Sequence, residues 1–274
     1  MSAKIILITG ASSGIGLALA QHCQSLGHQV LVTARKDADL QRLQQQGFRS
    51  FKLDVTDPQQ IDEMISTITS EFSGLDILIN NAGYGAMGPA LDTPLAVWQH
   101  QFATNVFAIA MLTKAALPLL QQRQGIVANV GSVSAIVTTP FAGVYCASKA
   151  AVHAMTDAMR MELQPLGVRV VLIQPGAIAS GFADTASHGL AHWLAADSPW
   201  QAFAAGIHAR ARASAQNPTP AAVFATQVLR DLLKAKPPSL IIAGNGSRSL
   251  VWLQRLLPQW LFDRILQKHF GLRQ

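Results

Sequence analysis

Covalent and metal cross-links have little to work with in this sequence. It holds two cysteines, Cys23 and Cys146, at no metal-ligand spacing. No disulfide framework is expected, and the usage suits a reducing, cytoplasmic compartment. Charge is sparse too: 13% of the 274 residues are Asp, Glu, Lys or Arg. The net charge of +6 comes with no long Lys/Arg run and no stacking-aromatic motif, so no nucleic-acid partner is expected. From Arg248 to the end there are five basic residues and one acid, which makes the excess a property of the tail. The opening MSAKIILITG lacks the basic, long-apolar, small-residue order of a signal peptide. Apolar runs are short or interrupted, so no membrane-spanning helix is expected. No repeat or low-complexity tract is visible.

What the chain does have is apolar bulk, 50% of its residues, arranged in alternation. The runs 4–8, 29–33, 50–55, 75–79, 125–130, 168–173 and 240–244 are short and rich in Val, Ile and Leu. Between them lie 14–26, 58–72, 97–121, 144–163 and about 220–235, each long enough for several helical turns. Near-continuous apolar strands separated by helices predict one doubly wound α/β domain, a parallel sheet of about seven strands covered on both faces. The domain is expected over 1–246, with an insertion at about 177–218 where a substrate lid belongs. Residues 247–274 are expected to be a separate amphipathic helical tail.

The first predicted strand runs into ITGASSGIG, with Gly10, Gly14 and Gly16 ahead of a helix. Glycines in such a turn let backbone N–H groups approach a pyrophosphate at the helix N-terminus. At the end of the second strand, where an acid would hold the ribose hydroxyls of NAD, stand Arg35 and Lys36. A guanidinium pairs with a 2′-phosphate, so NADP(H) is expected over NAD(H). Asp37 and Asp39 lie close enough to keep NAD in play. Further on, GVYCASKAAVHAM sets Tyr145 and Lys149 four residues apart. Both side chains then leave one helix face and can share a site.

The run Thr9-Gly10-Ala11-Ser12-Ser13-Gly14-Ile15-Gly16, the turn Asn80-Asn81-Ala82-Gly83 and the pair Tyr145-x-x-x-Lys149 resemble the short-chain dehydrogenase/reductase family in order and spacing. Ser132, 13 residues before Tyr145, stands at that family's catalytic serine, and Asn105 at its helix asparagine. Pro175-Gly176 stands at its nicotinamide-side loop. The resemblance implies a Rossmann-type fold, with Tyr145 as general acid in reduction and base in oxidation. Lys149 would favour the phenolate, whose parent phenol has a free pKa of about 10, and hold the nicotinamide ribose. Ser132 would orient the substrate oxygen, and Asn105 would anchor a relay water. The implied cofactor contacts add Ser12, Ser13, Ile15, Asp54, Val55, Asn81, Ala82, Gly83, Ile178 and Ser180. Asp54 reads equally well as a turn aspartate and Asn80 as a structural one. The segment NVGSVSA leaves Ser134 as a rival to Ser132.

The insertion carries Phe182, Trp193, Trp200 and Phe203 with Leu190, Leu194 and Ile207. Either they line a broad apolar pocket or they pack the lid onto the domain. Asp184, Asp197, Arg210 and Arg212 are few charges for holding a strongly anionic substrate. The resemblance therefore points to an aldehyde or ketone on an apolar, retinoid- or steroid-like skeleton, with a hydroxysteroid-type oxidant or a non-catalytic NADP sensor as rivals. Along the tail, Trp252, Leu253, Leu256, Leu257, Trp260, Leu261, Ile265 and Leu266 recur at helical spacings, with Arg255, Arg264 and Lys268 between them. Pro258 should divide it. Such a helix packs on the body or a partner subunit, or lies on an anionic membrane. The family habit implies a dimer or tetramer through the helices near 97–121 and 144–163.

Overall fold

The computed structural model describes residues 3–191 and 196–273; Trp193 and Leu194 lie outside them. In chain order the elements begin β1 (Ile5–Ile8), α1 (Gly14–Ser25), β2 (Gln29–Ala34), α2 (Asp37–Gln45), β3 (Arg49–Lys52), α3 (Pro58–Glu71) and β4 (Ile77–Asn80). They continue with α4 (Leu95–Phe102), α5 (Ala108–Gln122), β5 (Ile126–Val130), α6 (Gly143–Leu163), β6 (Arg169–Pro175), α7 (Phe182–Ala191) and α8 (Ala204–Arg212). The chain closes with α9 (Ala221–Leu232), β7 (Leu240–Ala243), α10 (Ser249–Leu256) and α11 (Gln259–His269).

The seven strands form one parallel sheet in the order β3-β2-β1-β4-β5-β6-β7. The chain steps outward from β1 to β3, then returns to set β4 on the other flank of β1, with Ile8 opposite both Val32 and Ile79. That reversal opens a crevice at the carboxyl ends of β1 and β4, where doubly wound sheets bind ligands. Side chains alternate across the sheet. Ile6 and Ile8 face a layer holding Leu19, Cys23, Phe224 and Val228, while Leu7 and Leu31 face Ile61, Ile68, Leu112 and Leu119. A buried polar group ties β4 to β5 and to α5: Asn80 Nδ2 donates to Asn129 Oδ1 at 2.8 Å and to Thr113 Oγ1 at 3.2 Å.

Local chemistry explains the boundaries. Asp57 caps α3 by accepting from the backbone N–H groups of Gln59 and Gln60, with Pro58 at the first helical position. β3 ends at Lys52, short of the expected 55, because the Asp54 side chain folds a turn onto Thr56. The expected helix 97–121 is α4 and α5 joined by a π turn at Ala103–Phe107. Contrary to the sequence expectation, Leu95–Gln122 is long and apolar enough to cross a membrane, but half of its most apolar window is buried inside the protein. Ile109, Leu112, Ala116, Leu119 and Leu120 spend that hydrophobicity on the core.

The insertion folds as α7, a 3-10 turn at Pro199–Phe203 and α8. Among the described residues, Trp200, Phe203, Leu190 and Ile207 belong to a packed cluster. They pack with Phe141 and with Phe270, Leu266 and Leu272 from the tail. The tail divides at Pro258 and lies on the body, with Phe262 among Val133 and Val137. Its backbone comes so close to α8 that a Cβ on Gly206 would meet Phe270 O at 1.8 Å. Gly206→Ala is therefore expected to destabilise the protein by about 1–3 kcal/mol, as overpacking does. Denaturant melts would show a lower midpoint, and an unchanged midpoint would mean that tail and lid are not packed this way.

Candidate active site

The glycine-rich turn leaves β1 and opens α1. Gly10 and Gly14 take positive φ values of 65° and 56°, which side-chain-bearing residues rarely adopt. The turn is fixed from both sides. Ala11 N donates to Thr33 O at 3.0 Å, and Asn81 Nδ2 donates to Thr9 O at 2.8 Å and Gly10 O at 3.0 Å. Ser13, the residue before α1, makes no side-chain cap, and the first turn carries no acid. Helix dipole and backbone donors are thus left for an anion, which fits a dinucleotide pyrophosphate.

The cleft is about 440 Å³. Its lining includes Gly10, Ser12, Ser13, Gly14 and Ile15 on one wall and Asn81, Ala82 and Gly83 on another. Asp54, Val55 and Arg35 stand at one end, with Tyr145, Lys149, Pro175 and Ser180 at the other. Of the remaining expected residues, Gly16 packs against the Asn81 side chain, Gly176 against Asn245 O, and Ile178 in the core. Lys36 precedes α2 and is exposed. None of these four lines the cleft, nor do Ser132 and Asn105. Phe182, one of the lid aromatics offered as pocket lining, does line it, as do Tyr84, His100 and Thr104, to which no motif pointed.

At the adenosine end, both aspartates that kept NAD in play are engaged: Asp37 with Lys52 at 2.9 Å and Asp39 with Arg42 at 2.8 Å. Arg42 also donates to Ser12 O at 2.5 Å, a brace that the sequence did not disclose. Arg35 is exposed at the rim and has no ion pair among the described residues. Asp54 serves in both suggested senses. It lines the cleft, and its Oδ1 accepts from Thr56 N at 2.9 Å and Oγ1 at 2.7 Å. Burial works to raise its carboxyl, but Thr56, Arg35 and His100 outweigh that and hold it below the ordinary carboxylate value.

At the other end, α6 presents Tyr145, Lys149, Val152 and Thr156 on its buried face. Its small neighbours permit close packing of the helix. Tyr145 and Lys149 are each 7% exposed. Burial pushes the Tyr145 phenol up to about 12; Ser132 opposes this, Cys146 adds to it, and Arg210 opposes it. Burial lowers Lys149 to about 8, and its Nζ donates to Val130 O at 2.8 Å. The expected lowering of Tyr145 by Lys149 is not what governs the phenol here: burial does. Ser132 Oγ accepts from Ser134 N at 3.0 Å, which leaves Ser134 in a supporting position. Asn105 sits in the π turn, 1% exposed, accepting from Tyr84 N and donating to Tyr84 O and Ser148 Oγ. Such turns often occur at functional positions.

One further residue stands behind the serine. His153, four residues after Lys149, accepts from Ser132 N through Nε2 at 3.3 Å. The repeated four-residue spacing was its only visible signal. The Phe182 ring packs against the Tyr145 ring at a tilt of 58°, with centroids 5.3 Å apart.

A family model for short chain dehydrogenases matches residues 4–190. The chain belongs to that family. It is similar to YbbO, an uncharacterized oxidoreductase of Escherichia coli K12, with 34% identity over 96% of this chain and 94% of that one. It is also similar to the NADPH-dependent 1-acyldihydroxyacetone phosphate reductase of Saccharomyces cerevisiae, 29% identical over 98% of this chain and 92% of the relative. A solved short-chain dehydrogenase from Streptomyces avermitilis superposes with a TM-score of 0.79, 25% identity, and coverage of 99% and 97%. Solved structures of the same fold bind NAD or NADP. This chain is accordingly an oxidoreductase of the family.

Burial lowers His153 from 6.5 to about 4, with Lys149 adding to the effect and Asp157 opposing it. The unfolded chain therefore takes up this proton first. The contribution to stability is full above about 6.5 and lost as pH falls towards about 4. Replacing His153 with Gln should flatten that part of the stability–pH curve in thermal melts. An unchanged slope would exclude His153 as its source.

Proposed function

We propose that the protein is an NADP(H)-dependent reductase of apolar aldehydes or ketones, with Tyr145 as the general acid. The observation that carries this reading is the meeting of Tyr145 and Lys149 in one cleft with the glycine-rich turn, with Ser132 acting on the phenol. When bound, the dinucleotide supplies the hydride to the carbonyl carbon. The residues of the chain handle the proton. Held near 12 by burial, the phenol is protonated at neutral pH, the form that donates to a carbonyl oxygen. That favours the reductive direction over a hydroxysteroid-type oxidation.

Ser132 is suited to orient the substrate oxygen, and Lys149 and Asn105 to hold the ribose and a proton relay. Asp37 and Asp39 being paired with cations leaves Arg35 as the open charge at the adenosine rim, which supports NADP(H). An apolar substrate suits the Phe182 ring, which lines the cleft with Tyr145 and packs against the buried cluster of Met87, Ala142 and Ala186. The yeast relative is named for a substrate with an acyl group, which agrees with such a wall.

The test is NADPH and NADH oxidation with medium- and long-chain aldehydes, retinal and a ketosteroid. Turnover is expected with NADPH, and Tyr145→Phe should remove at least a hundredfold of it, the scale of general acid catalysis. Arg35→Ser should weaken NADPH far more than NADH. Tight NADPH binding with no turnover on the whole panel would leave a sensor.

The tail completes the proposal. Trp252, Leu253, Leu256, Trp260 and Ile265 are exposed beside Arg255, Arg264 and Lys268. Apolar and basic side chains together fit an anionic bilayer surface. The protein should co-sediment with vesicles containing anionic lipid, and lose this in Trp252→Ser/Trp260→Ser. Equal retention by purely zwitterionic vesicles would rule out the basic contribution. Exposed Phe107 and Met161, on the helix run 95–122 and on α6, support association of two or four chains.

A further inference from the structure

Among the described residues of the lid, Arg210 is the cation that is buried. Its neighbours two residues either way, His208 and Arg212, are exposed, whereas Arg210 is 7% exposed. Its Nε donates to Thr139 Oγ1 at 2.5 Å. Among the described residues no carboxylate forms an ion pair with it. A guanidinium does not shed its proton in a protein, so a buried one without a counter-charge is a heavy cost to folding.

The ionisable groups that its charge reaches are Cys146 and Tyr145. Both are neutral when protonated, and both become anions on losing a proton. Cys146 is buried and raised by that burial, and it does not line the cleft. Tyr145 does, and it is the group that ends each reduction as a phenolate. The packing agrees: Ala211, next to Arg210, shares an apolar cluster with Tyr145, Cys146 and Ala142. Ile207, one turn earlier on α8, packs on Phe141.

We propose that Arg210 is a positioning residue which holds a positive charge near Tyr145 from the lid, stabilising the phenolate while Ala211 stays packed in the cluster around that tyrosine. The proposal rests on Tyr145 being the acid and base. In reduction the Tyr145 O–H bond breaks, its proton goes to the carbonyl oxygen, and the remaining anion faces Arg210 until water reprotonates it. Lys149 on α6 supplies a positive charge of its own while its Nζ donates to Val130 O, and Arg210 adds a second from the lid. Of the other groups around Tyr145, Ser132 and Cys146 carry no charge, Phe182 is apolar, Asp184 and His188 on α7 are exposed, and His153 accepts from Ser132 N. The lid thereby becomes part of the acid–base chemistry as well as a cover over the substrate.

The experiment is the pH dependence of kcat/KM for alcohol oxidation with NADP+, which rises as Tyr145 loses its proton. Arg210→Met should move that rise to higher pH by about one unit, the lower end of what a nearby opposite charge does. At neutral pH this is about a tenfold loss, since each unit is a factor of ten. Arg210→Lys should restore the position of the curve. Thr139→Val, which removes the anchor and keeps the shape, should give a smaller shift in the same direction and carries the test if Arg210→Met does not fold. A loss as large in Arg210→Lys as in Arg210→Met would overturn the proposal and leave Arg210 a packing residue. A rise in KM confined to carboxylated or phosphorylated alcohols would overturn it in favour of an anion seat. If Tyr145→Phe kept its activity, the acid–base reading itself would fall, whatever the Arg210 variants did.

Discussion

Two ionisable side chains held out of water on one face of a helix set the terms for the rest of this molecule. Tyr145 and Lys149 are 7% exposed each, and burial opposes the charged form of both. The chain meets the cost on the lysine with a carbonyl at the end of β5, Val130 O. For the tyrosine it supplies Ser132 from the loop that follows the same strand, and Arg210 from the lid. Those partners come from two separate parts of the sequence, the end of β5 with its loop and the lid, so the site exists only when these are together with α6.

The sheet can deliver them because of its order. β4 and β5 lie beside each other, so the turn after β4 and the loop after β5 open into one crevice. The asparagine rung between Asn80 and Asn129 locks these two strands at their carboxyl ends. Asn129 in turn donates to Thr156 on α6 at 3.0 Å. One polar chain thus runs from β4 through β5 to the helix that carries Tyr145. In a low-dielectric interior a fully satisfied network of this kind imposes a single arrangement, which is what acid–base geometry requires.

Much of this was legible from residue order. The strand runs, the glycine turn, Tyr145 with Lys149 and the break at Pro258 all follow from short-range rules, and the structure places each close to where those rules put it. Features that depend on contact across the chain were not legible. The length of 95–122 said nothing of which side faced the sheet, and four lid aromatics looked alike although, of the three described, only Phe182 reaches Tyr145. His153 and Arg210 read as ordinary polar positions on helices. Their significance is that one faces a backbone N–H and the other lacks a carboxylate, and neither fact exists before folding.

The lid and tail then cease to be appendages. α8 carries Ile207 and Arg210 on its inner side, and the tail backbone presses on it at Gly206. Leu266 of α11 packs both with this lid cluster and with the cluster of Val133 and Val137, next to Ser132. A force on the tail would therefore reach the two groups that act on the Tyr145 phenol, Ser132 and Arg210, through packed side chains. Packed interiors yield by discrete shifts rather than by continuous bending. A tail seated on a surface and a tail free in solution would then favour different placements of α8, and with them different stabilities of the phenolate. The tail helices are thereby packed into one unit with α8 and with the loop that carries Ser132.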